Sequence, residues 1–222
     1  MPAAPKPHFP ASPETMSTLA GIGLAWETLL ASVRAGHEEA SRCTKNDVVL
    51  REGFLRWATP LRHLGDEYVP QGWTRERPGG FELLVNPTRS LAITVAPGNT
   101  NTGTETMPST RIERGPLTGQ AVARNRDQLR FGAEISPHFE NEAIPDMAIW
   151  LLLHYVDEDQ EEIRVELSFP VEFTKTARTE RGFVTRFEPR LVLAPIPLSQ
   201  HIDIHDDDDG EEEIDIPIAP RA

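Results

Sequence analysis

Gly98, Asn99, Thr100, Asn101, Thr102 and Gly103 set amides, hydroxyls and two glycines in one short run, and Arg111, Arg114, Arg124, Arg126 and Arg130 follow further along. Such a stretch suits a phosphate or a nucleic-acid backbone. Glycine lets main-chain N–H groups approach closely, arginine adds charged donors, and a helix starting near Thr118 would contribute its partial positive end. The glycine spacing is neither that of a Walker loop nor that of a dinucleotide fingerprint, and no lysine follows it. Glu105, Glu113 and Asp127 dilute the basic character. The competing reading is an ordinary surface loop whose polar side chains make turns and caps. The candidate anion or nucleic-acid contacts are Asn99, Asn101, Arg111, Arg114, Arg124 and Arg126.

Three other sets have the residue types for chemistry but not the arrangement. His154 ends an apolar run and Asp157, Glu158 and Asp159 follow, so an imidazole and a carboxylate could meet for acid–base work. Those acids belong to a solvated turn, however, and a histidine at a strand end reads as structural. Cys43 lies near His37, Glu38 and Glu39, yet His37 and Cys43 would fall on different sides of a helix. His201, Asp203 and His205 would share one face of an extended "HIDIH", but three metal ligands from one such segment carry a large ordering cost. No catalytic residue, metal ligand or cofactor is assigned.

Asp203 to Asp215 supplies nine acids and no lysine or arginine, which concentrates much of the formal net charge of −13 in one place. A plain acidic tail would be a solvated, self-repelling extension. The isoleucines need a further reason. In an extended chain Ile214, Ile216 and Ile218 share one face while Asp215 points away, a pattern suited to adding a strand to a sheet edge. Asp209, Glu213, Ile214, Asp215, Ile216 and Ile218 are therefore the candidate contacts with a protein partner.

Asp206 to Ile218 also resembles the acidic tips of bacterial single-stranded-DNA-binding proteins, where aspartates precede an Ile-Pro pair and a terminal aromatic residue. Here Ala219-Pro220-Arg221-Ala222 follow Ile218, so membership of that family is not inferred. The body shows no barrel with stacking aromatics.

The elements that must position these residues follow from period and punctuation. Residues 1–11 are rich in proline and alanine and read as disordered, without the apolar core of a signal peptide. Ser12-Pro13-Glu14 is a helix start, and Met16, Leu19, Ile22, Trp26, Leu29, Leu30 and Val33 form one face that Gly21 and Gly23 weaken. Gly36 is a plausible stop. Asn46-Asp47 opens a second helix that Pro60 kinks or ends, so residues 12–68 form a helical hairpin. Phe81 to Val85 and Leu91 to Val95 flank a turn and predict a β-hairpin. A long polar loop occupies 97–118, and a short helix after Thr118 has too little apolar content for deep burial.

"MAIWLLLHYV" is apolar at both parities, as a central strand requires, and "EIRVELSFPVEF" alternates. "GFVTRFEPRLVLAPI" reads as a strand pair or bulged strand interrupted at Pro189. The prediction is an α+β fold: a mostly antiparallel sheet of four to six strands, helices on one face, and an acidic tail at 201–222. The 69–200 region belongs to the same domain as the hairpin. No run is long enough to span a membrane. The lone Cys43 fits a reducing cytoplasm, and the preference for arginine over lysine suggests a bacterial genome. Two functions follow: a non-enzymatic accessory or adaptor protein whose tail binds a protein partner, or a nucleic-acid-associated enzyme or regulator using the 97–130 arginines.

Overall fold

A computed structural model describes residues 12–131, 147–177 and 179–198. Helix α1 (Pro13–Gly21) opens as the sequence predicts: Ser12 Oγ accepts from the Thr15 N–H at 3.1 Å, and Pro13 takes the first helical position. The apolar face does not run on as one helix. Gly23 takes a left-handed φ of 78°, and the chain bends by 92° before α2 (Trp26–Ser41) begins.

Gly36 does not stop α2. It lets α2 close on α3 (Arg51–Tyr68), because a Cβ there would lie 2.7 Å from two ring carbons of Pro60. Pro60 in turn sits inside α3 without ending it. The predicted hairpin therefore forms from α2 and α3.

Among the described residues the sheet has seven strands, one more than the upper bound read from the sequence: β1 (Thr74–Glu76), β2 (Leu83–Val85), β3 (Leu91–Pro97), β4 (Ala148–Asp157), β5 (Glu162–Lys175), β6 (Gly182–Val192) and β7 (Ile196–Pro197). β1, of three residues, and β7, of two, have no alternation long enough to read. β1 to β6 lie in sequence order, and β7 pairs with β5. Every pairing is antiparallel except β3 with β4. That parallel pair needs a crossover, which α4 (Pro116–Phe131) supplies. Strand β6 is one strand, running through Pro189, and the register shifts fall between β5 and β6 around Pro170.

Helices cover both faces of the sheet, not one. Ile93, Val95, Trp150, Leu152, Val165 and Leu167 pack beneath α1 to α3. The opposite parity, including Ala92, Ala96, Ile149, Leu151 and Leu153, packs with Ala121 and Val122 of α4. So α4 is buried along one side despite its polar sequence. The buried polar residue on that side explains why. In the β4–β5 register Leu151 stands opposite Ser168, which carried on places Ile149 opposite Pro170. Proline has no N–H to give the ladder. The Asn125 amide fills the gap, donating to Ile149 O at 2.8 Å and Pro170 O at 3.1 Å while its oxygen accepts from Ile149 N at 3.1 Å.

No single helix among the described residues is long and apolar enough to cross a membrane. The bent pair α1 and α2 reaches that hydropathy together, but its Leu19, Leu29 and Val33 are buried in the core.

Candidate functional site

The loop after β3 is tied down at every turn. Asn99 Oδ1 accepts from the N–H of Asn101 and of Ser109, both at 3.2 Å, and Asn101 Nδ2 donates to Met107 O at 3.2 Å. Both predicted amides are thus engaged inside the loop. Underneath, fully buried Glu166 accepts from Gly103 N at 3.0 Å, from Ser168 Oγ at 2.8 Å and from the Arg190 guanidinium. Arg190 also donates to Thr104 O and Thr106 O. A charged pair taken out of water is tolerable when its remaining donors and acceptors are met, and these are. Gly103 belongs here because a Cβ would come within 2.9 Å of Arg164 Cβ, at a left-handed φ of 73°.

The loop then caps the outer edge of β6. Thr110 N donates to Val184 O at 3.0 Å, and Arg114 and Gly182 exchange backbone bonds at 2.7 and 3.1 Å. This blunts an edge that would otherwise offer open backbone groups.

The four predicted arginines separate. Arg124 is buried on α4 and engaged. Arg126 is exposed on the same helix, 3.7 Å from Asp127 Oδ1. Arg114 lines a cleft of about 460 Å³ at the start of α4, with Gly79, Gly80, Thr118 and Arg181. Arg114 has no carboxylate partner among the described residues, whereas Arg181 donates to Glu113 O at 3.0 Å and lies 3.5 Å from its carboxylate. Burial first, and the neighbouring Arg181 second, hold the Arg114 pKa below its usual value.

Arg111 is exposed and lines a different pocket, of about 60 Å³, at the end of β4. The parity that sends Trp150 and Leu152 toward α1 to α3 sends His154 there too, and Arg56 descends from α3 to meet it. His154 is 5% exposed, and its Nε2 has no hydrogen-bond partner among the described residues. Arg56 spends one nitrogen on Glu52 at 2.8 Å, while its buried Nε has none. Burial pushes the His154 pKa down to about 4, with Arg56, Arg111 and His37 adding to the shift in that order. His37 is lowered as well, by burial and then by Arg56. The imidazole is therefore neutral at pH 7.

The acids after His154 do not pair with it. Asp157 is bound to Arg164, which also lies 5.1 Å over the Tyr155 ring, and Glu158 stands exposed at the pocket mouth. Cys43 is half-buried just beyond α2. No group of three His, Cys, Asp or Glu among the described residues is placed to hold a metal. The tail contacts Asp209, Glu213, Ile214, Asp215, Ile216 and Ile218, and the HIDIH segment, lie outside the described residues.

Sequence reasoning missed Arg56 as a neighbour of His154, because it lies in a different element. It also passed over a second surface. In the turn between α2 and α3, Val48, Val49 and Leu50 are 74, 96 and 81% exposed, with Phe54 at 57% on the first turn of α3. The turn is built, not frayed: Asp47 Oδ2 accepts from Thr44 N at 2.8 Å, and the other carboxylate oxygen binds Arg51. Those contacts, the Thr44 N–H first, keep the Asp47 carboxyl below its usual pKa. Asn46-Asp47 does not open the helix as the sequence predicts: α3 starts at Arg51 with Leu50 at its N-cap, and Asp47 closes the turn instead. The signal for the exposed surface was three consecutive branched apolar residues after that pair.

No family model, no curated protein and no solved structure matches this chain.

Proposed function

We propose that this chain is a non-enzymatic accessory protein that binds a protein partner, using the α2–α3 turn on its body and the acidic, isoleucine-bearing tail. The exposed apolar knuckle carries the reading. Val48, Val49, Leu50 and Phe54 leave large apolar side chains in water on a turn held by Asp47, and contiguous patches of this kind mark interaction sites. A preformed turn also loses little conformational freedom on binding. Lys45 and Arg42 precede the knuckle, so the partner suited to it has an apolar groove with an acidic rim. The tail offers a different chemistry, strand addition through Ile214, Ile216 and Ile218. A cytoplasmic, bacterial setting fits the single cysteine and the arginine bias.

The test is competitive capture with the tagged full chain. A partner retained by the native chain should be lost by Val49→Asp/Leu50→Asp, with unchanged circular dichroism. Replacing Ile214, Ile216 and Ile218 with aspartate should reduce its retention separately. Retention by both variants would remove the proposal.

Arg114 favours a second reading, contact with nucleic-acid phosphate at the start of α4. It has no carboxylate partner among the described residues, a second arginine adjoins it, and backbone of Gly79 and Gly80 lines the same cleft. Binding to single- or double-stranded nucleic acid should then fall with salt, tighten in a 1–202 truncation lacking the acids, and weaken in Arg114→Glu. Salt-independent behaviour, or none, would end this reading.

A further inference from the structure

We infer that the pocket formed by His154, Arg56 and Arg111 binds a single small oxyanion, a phosphate-like or carboxylate group, at the carboxyl end of β4. Three observations converge. His154 lines the pocket and its buried Nε2 has no partner among the described residues, and an unmet buried polar group is costly enough to call for one. The walls bring donors: Arg111 forms no ion pair among the described residues, and Arg56 keeps an unpartnered Nε after its contact with Glu52. Guanidinium donors match an oxyanion's geometry. The volume also fits, since about 60 Å³ has room for on the order of four or five water-sized atoms, and phosphate has five.

The charges facing the site come from every neighbouring element. His37 of α2 and Arg56 of α3 are felt at His154 together with Arg111, while Glu52 is bound to Arg56 and Glu158 lies at the mouth. An anion against Nε2 selects the tautomer with hydrogen on that nitrogen. It also favours the imidazolium, so binding and protonation of His154 reinforce one another.

The chain supplies one candidate source of carboxylates itself. Leu198 N donates to Glu161 O at 2.8 Å, so the tail departs beside the β4–β5 turn. With β5 between β7 and β4, that point is two strand spacings, roughly 10 Å, from β4. The acids Asp206 to Asp209 begin eight residues beyond Leu198, and such a segment reaches up to about 26 Å when extended.

The experiment is a titration of the full chain with inorganic phosphate, following the His154 and His37 ring resonances by NMR. The same titration is run on Arg111→Gln, on Arg126→Gln and on a variant with Asp206, Asp207, Asp208 and Asp209 changed to asparagine. A saturable shift of His154, weakened at least about tenfold in Arg111→Gln and unchanged in Arg126→Gln, supports the site. The His154 pKa should rise from about 4 as the anion binds. A shift seen only in the asparagine variant also supports it and identifies the tail's carboxylates as the resident oxyanion. No saturable shift of His154 in either the native chain or the asparagine variant overturns the proposal. So does an undiminished shift in Arg111→Gln.

Discussion

Asn125 and His154 are both buried polar side chains serving strand β4, one from each face of the sheet, and they have opposite fates. Asn125 meets both of its partners on β4 and a third on β5, repairing the ladder that Pro170 leaves open. His154 leaves Nε2 unmet and neutral among arginines. A buried polar group that is fully satisfied holds a fold together, whereas one left wanting marks a place where the protein gains by binding something. Glu166 with Arg190 belongs with Asn125, and Arg114 beside Arg181 belongs with His154.

The comparison can be sharpened from its stiffest point downward. Arg190→Met would strand the Glu166 carboxylate with only two donors, and urea unfolding should show a loss of about 3–5 kcal/mol. Acid tests the other class. The unfolded chain protonates His154 near 6.5 and the folded one only near 4, so stability is unaffected above about pH 6.5 and declines as pH falls toward 4. This contribution levels off below that, amounts to up to about 3 kcal/mol, and should be missing from the acid decline of His154→Leu, which keeps the part owed to His37 when melts are compared across the range. Gly36→Ala forces a Cβ against Pro60 and should cost about 1–2 kcal/mol after alanine's better helix propensity is credited. Arg126→Gln, at an exposed site, should stay within about 0.5 kcal/mol by the same unfolding assay.

Much of the fold was legible because period and punctuation reflect burial. The parity of residues 148–156 read as a two-sided central strand, and it is covered on both faces. The β2–β3 hairpin and the α2–α3 pair followed in the same way. What escaped were contacts between distant elements. A polar α4 looks like a surface helix until Pro170 is seen to need a substitute donor, and a proline within a clean strand pattern was the available hint. Gly36 looked like a stop because its use is to admit Pro60 from another helix. The long loop read either as an anion cradle or as a surface loop of turns and caps; its Asn99 and Asn101 amides do make turns, and nothing local shows that Glu166 and Arg190 hold it from below. His154 read as a structural histidine beside solvated acids, and Asp157 does turn to Arg164, but the groups that line its pocket arrive from α3 and the loop and could not be read locally.

Equilibrium unfolding of Asn125→Leu and His154→Leu at pH 7.5, side by side, tests the contrast most directly. Asn125→Leu leaves the Ile149 N–H and two carbonyls unmet and should lose about 2–4 kcal/mol. His154→Leu removes a group that contributes no bond through Nε2 and should remain within about 1 kcal/mol of the native chain, or exceed it. Equal losses in the two variants would make His154 another structural member of the core and contradict the account.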